Sequence, residues 1–113
     1  MKRGDVFDAR LDPIEGSEQA GIRPVVIVSR DAINLSSSVI IAVPCTTYRS
    51  GQRVYPSQVL LQAGDGGLTV DSLALGEQIR AVAKSRLLRQ RGSLAPQSLD
   101  KVSRALMIAL DLP

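Results

Sequence analysis

Three stretches hold most of the side chains that could do chemistry. The first is the segment Asp12-Pro13-Ile14-Glu15-Gly16-Ser17-Glu18-Gln19-Ala20-Gly21, which runs into Arg23-Pro24. The second is Val43-Pro44-Cys45-Thr46-Thr47, and the third is Glu77-Gln78-Ile79-Arg80. Together they offer guanidinium groups, hydroxyls, carboxylates and one thiol. The chain has no histidine, so no side chain comes ready-made as a base near neutral pH. Cys45 lies in an apolar run with no histidine to activate it, which favours an inert buried thiol over a nucleophile. What the set suits is an anionic substrate, because a guanidinium is a permanent cation able to span two phosphate oxygens. The bland alternatives are a surface arginine at Arg23 and, at Thr46 and Thr47, hydroxyls that merely satisfy backbone groups at a strand end.

Composition narrows the partners. Eleven of the fourteen basic residues are arginines and the net charge is +3, a balance that leans towards nucleic acid. Aromatic residues make up only 3%, too few for a base-stacking platform, so an RNA reader built here would depend on charge and hydrogen bonds. A single cysteine forms no internal disulfide, and a reducing compartment fits that usage. Without histidine or a cysteine cluster there is no ligand set for zinc, and scattered carboxylates make a poor magnesium site; no metal and no cofactor are expected. The N-terminus lacks the apolar stretch of a secretory signal. The apolar run inside Ser38–Cys45 falls far short of the ~20 residues that span a bilayer, so a cytoplasmic protein with no membrane partner is expected.

The elements that must position these residues follow from hydrophobic period. A chain of 113 residues with 44% hydrophobic content supports one domain and one core. Alternation from Asp5 to Leu11 reads as a half-buried first strand, followed by a polar loop through Ile22 punctuated by Pro13, Gly16 and Gly21. Val25 to Val28, β-branched throughout, reads as a central strand buried on both faces, with Pro24 at its start. A short connection through Asp31, Asn34 and Ser36–Ser38 leads to a third strand from Val39 to about Thr46. Tyr48–Tyr55 reads as a polar loop and Ser57–Gln62 as a strand. Gly64-Asp65-Gly66-Gly67 is a turn before a further extended stretch from Leu68 to Val82. Arg86–Arg91 is a basic cluster that reads as a solvated edge. Pro96 then opens an amphipathic helix carrying Leu99, Val102, Ala105, Leu106, Ala109 and Leu110. Five or six short strands closed by one helix suggest a small curled barrel or a strongly bent antiparallel sheet.

Several of these segments also carry a resemblance. Arg3-Gly4-Asp5-Val6, Leu11-Asp12-Pro13, Gly16-Ser17-Glu18-Gln19, Gly21, Arg23-Pro24, Val43-Pro44-Cys45-Thr46-Thr47, Tyr55-Pro56 and Glu77-Gln78-Ile79-Arg80 occur in that order. Their order and spacing resemble the MazF/PemK-type mRNA interferases over essentially the whole chain. The resemblance implies a mainly β, SH3-like small barrel with a C-terminal helix, a two-fold homodimer, and cleavage of single-stranded RNA at short sequences. It also implies a cognate antitoxin whose acidic segment covers the RNA groove. Carried over by motif, Arg23 and Thr46 are the catalytic candidates. Ser17, Glu18 and Gln19 match positions lining the RNA groove, Gln78 matches the strand beside it, and Thr47 adjoins the catalytic threonine. Some relatives place a histidine in the first loop and an arginine two positions before the residue matching Glu77. Here those positions are Ser17 and Leu75, so that branch's catalytic scheme does not transfer intact.

The chemistry can be stated without the family. RNA carries its own nucleophile, since a deprotonated 2′-hydroxyl attacks the adjacent phosphorus to leave a 2′,3′-cyclic phosphate and a 5′-hydroxyl. The protein must stabilise the crowded phosphorane, accept the 2′-hydroxyl proton and assist the departing 5′-oxygen. Arg23 suits the first task and Thr46 could add a hydroxyl contact to a non-bridging oxygen. Glu18 is the candidate base, with Glu77 as the alternative. A gyrase-poisoning toxin of the CcdB type has a related fold but ends in Trp-Gly-Ile, whereas this chain ends Ala109-Leu110-Asp111-Leu112-Pro113 and has no tryptophan. An inactivated relative that only binds RNA or a protein partner stays open on sequence alone.

Overall fold

Two apolar cores lie on opposite faces of one antiparallel sheet. The computed structural model describes residues 1–11, 16 and 21–113. The elements are β1 (Asp5–Leu11), β2 (Gly21–Ile27), α1 (Asp31–Ser36), β3 (Val39–Thr47), β4 (Gln58–Leu61), β5 (Ser72–Leu75), β6 (Arg80–Ala83), β7 (Leu87–Ser93) and α2 (Pro96–Ala109). Short 3-10 turns lie at Asp65–Gly67, Gly76–Gln78 and Lys84–Arg86. The sheet runs β4-β5-β3-β2-β1-β7, and β6 pairs with β3. The fold is mainly β with a C-terminal helix, as the resemblance implies.

β2 is buried on both faces. Val25 and Ile27 pack with Ala9, Leu11, Ile40, Ala42 and Val82, while Val26 packs with Val6, Val43, Leu61 and the helix residues Val102, Ala105 and Leu106. Successive side chains of a strand point to opposite faces, so a β-branched run feeds both cores at once. β3 makes the corner of the sheet. Ala42 is paired on both edges, with Ile27 and with Arg80, but along one edge β6 covers Val39–Ala42 and β5 covers Cys45–Thr47. That change of partner bends the sheet. Pro44 sits in the gap between the two partners, where a missing N–H costs no ladder bond on that edge.

The motif residues at the N-terminus are structural. Gly4 has φ 96, and a Cβ there would come 2.9 Å from Leu99 Cδ2, so both backbone conformation and space demand glycine. Its N–H donates to the Ile27 carbonyl at 2.7 Å and its carbonyl accepts from Leu94. Buried Asp5 accepts from the Lys2 N–H at 2.8 Å and from Ser93 Oγ at 2.6 Å. Arg3 Nη2 donates to Ser103 Oγ at 2.6 Å, tying the N-terminus to α2.

Four expectations need correction. β2 starts at Gly21, because β1 also pairs with two residues expected in the loop, at Leu11↔Gly21 and Arg10↔Ile22. The expected plain connection after β2 contains α1, which is fastened where buried Asn34 donates to the Ser29 carbonyl at 2.8 Å. The extended stretch from Leu68 to Val82 is broken by the turn Gly76–Gln78 into β5 and β6, as the two partners of β3 require. The basic cluster contains β7, whose register against β1 shifts twice; these bulges hide the alternation that reveals a strand. Among the described residues, no helix is long and apolar enough to cross a membrane.

Candidate active site

The β2–β3 ladder supplies the site by ending early. Its pairs are Ile27↔Ala42, Val26↔Val43 and Val25↔Pro44. Two residues further the same register would set Arg23 opposite Thr46, on one face of the sheet. Instead Arg23 stays paired to Ala9 of β1 while Thr46 pairs with Leu73 of β5. The strands splay, and a cleft opens between the two side chains. Arg23, Thr46 and Thr47 line an outer cleft of about 640 Å³ with Arg49, Ser50, Gly51 and Gln52. The same three residues line an inner recess of about 180 Å³, whose far side is formed by Pro24, Leu68, Thr69, Val70, Ser72 and Arg91.

The electrostatics favour an anion. Arg23, Arg49 and Arg91 face these two spaces, and no carboxylate lines them among the described residues. The segment after β3 is shaped by a closed turn in which the Gln52 N–H donates to the Arg49 carbonyl at 2.8 Å. The Arg49 N–H in turn donates to Gln52 Oε1 at 3.0 Å. Beyond it, the Arg53 guanidinium lies 4.7 Å from the centre of the Tyr55 ring. Cys45 borders the inner recess, but its side chain is fully buried and desolvation pushes its thiol up to about 12. At neutral pH it is a thiol and no nucleophile.

The sequence candidates thus separate into groups. Arg23, Thr46 and Thr47 come together in one cleft. Gln78 lies on the turn between β5 and β6 and lines neither space. Glu77 lines neither space, and its carboxylate accepts from Ser57 Oγ and Gln58 Nε2, each at 2.9 Å. Ser17, Glu18 and Gln19 fall outside the described residues. Among the described residues, no three His, Cys, Asp or Glu side chains converge as a metal site would need.

Among the lining residues that sequence reasoning did not single out is Arg91. Its Nε donates to Asp8 Oδ1 at 2.7 Å, and Arg89 Nε meets Asp8 Oδ2 at 3.1 Å. Burial pushes the Asp8 carboxyl up, but the hydrogen bonds and charges of Arg91 and Arg89 outweigh it and hold it below its ordinary value. Asp8 and Arg91 stand 83 residues apart, so no local pattern could have linked them.

Comparison with known proteins agrees with this geometry. Residues 2–110 match the family described as PemK-like, MazF-like toxins of type II toxin-antitoxin systems. The chain is 44% identical to the endoribonuclease MazF9 of Mycobacterium tuberculosis, over 99% of this chain and 98% of that one. It is 40% identical to the endoribonuclease MazF of Staphylococcus saprophyticus, over 99% and 92%. A mycobacterial endoribonuclease solved in complex with its cognate antitoxin superposes with a TM-score of 0.81 at 29% identity, covering 100% of this chain and 97% of that one. The family match covers nearly the whole chain and the strand order reproduces the fold, so this protein belongs to the PemK-like, MazF-like toxins of type II toxin-antitoxin systems.

Proposed function

We propose that this toxin is an endoribonuclease that cuts single-stranded mRNA at short sequences by transesterification, and that it acts in the cytoplasm as a homodimer to arrest translation. The observation that carries the reading is the splayed end of the β2–β3 ladder, which sets the Arg23 guanidinium and the Thr46 hydroxyl around one open cleft. The scissile phosphate sits there. The 2′-oxygen forms a bond to phosphorus as its proton passes to a carboxylate, for which Glu18 is the candidate. The bond from phosphorus to the 5′-oxygen then breaks, and that oxygen takes a proton from water while Arg23 donates a hydrogen bond to it. Arg23 spans two phosphorane oxygens and Thr46 donates to one of them. Ser17, Gln19 and Thr47 line the path of the strand. Gln78, outside both spaces, would touch the RNA only beyond the cleft.

No metal enters this scheme, because the substrate supplies the nucleophile and arginine the positive charge. The partner is a cognate antitoxin whose acidic segment lies over the basic cleft and excludes RNA. A solved mycobacterial relative is an endoribonuclease bound to its cognate antitoxin, which supports that pairing. The test is to incubate the pure protein with a long unstructured RNA in EDTA and map the new ends by primer extension. Discrete cuts bearing 2′,3′-cyclic phosphates are expected. Cutting that is lost in EDTA and restored by magnesium would overturn the mechanism.

A further inference from the structure

The proposed phosphoryl chemistry gives no role to the far side of the inner recess. Pro24, Leu68 and Val70 present apolar surface there, and Arg91 closes it with a charge. Arg91 is held as a built part of this wall. Its side chain is 18% exposed and its partner Asp8 13%. Besides the bond to Asp8, Nη1 approaches the Gly67 carbonyl at 3.4 Å. A Cβ at Gly67 would come 2.1 Å from the Arg91 carbonyl oxygen, so turn and strand are in close contact. A guanidinium carries five N–H donors. Two are engaged by Asp8 and Gly67, and Nη2 has no acceptor among the described residues.

From this arrangement we infer that the inner recess is a nucleobase subsite for guanine, in a nucleotide flanking the cleaved phosphate, with Arg91 donating to guanine O6 and N7. The inference rests on the ribonuclease reading above. Single-stranded RNA is read by splaying bases into pockets, and this recess shares Arg23, Thr46 and Thr47 with the cleft that holds the phosphate. Apolar walls cover the faces of a ring, and Arg91 meets its edge with N–H donors. Guanine offers two adjacent acceptors to such an edge, whereas adenine places an amino donor where O6 would be. Uracil has no adjacent acceptor pair; cytosine has one in O2 and N3, so a pool enriched in cytosine rather than guanine beside the cut overturns the guanine assignment. Asp8 is a positioning residue, because it fixes Nε and thereby aims the remaining donors.

A randomised RNA pool first reports the base frequencies on both sides of the cut. Oligonucleotides with guanosine, inosine, 7-deazaguanosine, 2-aminopurine or adenosine at the selected position are then cleaved by wild type, Arg91→Gln and Asp8→Asn. Inosine keeps O6 and N7, 7-deazaguanosine loses N7 and 2-aminopurine loses O6. Wild type should cut guanosine and inosine substrates alike and the other three about 10- to 100-fold more slowly, the size of one bidentate contact. Arg91→Gln should cut the guanosine substrate no faster than the adenosine one. Asp8→Asn should weaken discrimination mainly through KM. An Arg91→Gln variant that slows every substrate equally marks a phosphate contact and overturns the subsite, as does a pool with no guanine bias beside the cut. Wild type that cuts nothing in the pool overturns the ribonuclease reading itself.

Discussion

At Arg23 charge and shape can be separated by substitution. Arg23→Lys keeps the charge but loses the planar two-point contact with the phosphorane. Single-turnover cleavage should fall about 10²- to 10³-fold, as on removal of one preorganised donor, with Thr46→Ala somewhat milder. Both side chains are half-buried at the cleft rather than in either core, so melting temperatures should move little. A near-wild-type rate for Arg23→Lys would reduce Arg23 to a phosphate anchor. Asp8 gives a prediction in pH. Its carboxyl titrates below the ordinary value in the folded protein, so its contribution is present above an unfolded value of about 3.9 and lost as pH falls through the lower folded one. Asp8→Asn should cost about 1–2 kcal/mol at neutral pH through loss of charge-assisted hydrogen bonds, and the gap should close below about pH 4. Urea midpoints of both proteins from pH 7 to pH 3 measure it; a gap constant with pH would contradict the ionic origin.

At the scale of elements, α1 depends on one buried amide. Asn34 is 3% exposed, donates to the Ser29 carbonyl, and stands beside the Ser29 hydroxyl, which in turn accepts from the Ile41 N–H at 3.1 Å. Asn34→Ala strands a buried carbonyl and should destabilise the fold by about 1–3 kcal/mol. Because α1 lines neither the cleft nor the recess, the cleavage rate of the folded fraction should be unchanged. Denaturation and single-turnover assays on one preparation test both halves, and a large rate loss at unchanged stability would place α1 in the substrate path. The β2–β3 ladder explains why the elements matter to the site. It stops at Val25↔Pro44, where β3 bends and Cys45–Thr47 pair with β5, and the opening this leaves is the cleft.

For the whole molecule, pairing is the expectation with the largest consequence. Large apolar side chains stay exposed on the single chain, among them Leu35 at 87%, Ile22 at 60% and Ile108 at 56%. A two-fold interface would cover part of this surface and join two clefts into a longer RNA path. Light scattering at micromolar concentration should give about twice the 12.1 kDa chain mass, and a monomer mass would contradict it. Saturating cognate antitoxin should abolish cleavage by occupying the basic cleft; unchanged cutting would refute that mode of inhibition.

Much of this protein was legible in its residues because local rules govern it. Period-2 alternation marked β1 and β4, the β-branched Val25–Val28 run marked a strand buried on both faces, and Pro96 with its 3.6-residue stripe marked α2. The ordered motifs singled out Arg23 and Thr46, which the fold brings together. Gln78 lies outside the cleft, and the loop candidates Ser17, Glu18 and Gln19 lie outside the described residues. Tertiary structure decided the rest, since pairing between distant strands obeys no local period. β7 was hidden because its alternation is interrupted by bulges and by arginines whose partner, Asp8, lies at the other end of the chain. The break between β5 and β6 follows from β3 needing two partners. The splayed ladder end and the recess behind it exist only where β1, β2, β3, β5 and β7 meet, so the sequence named Arg23 as a candidate while the fold alone supplied its cleft and the second arginine behind it.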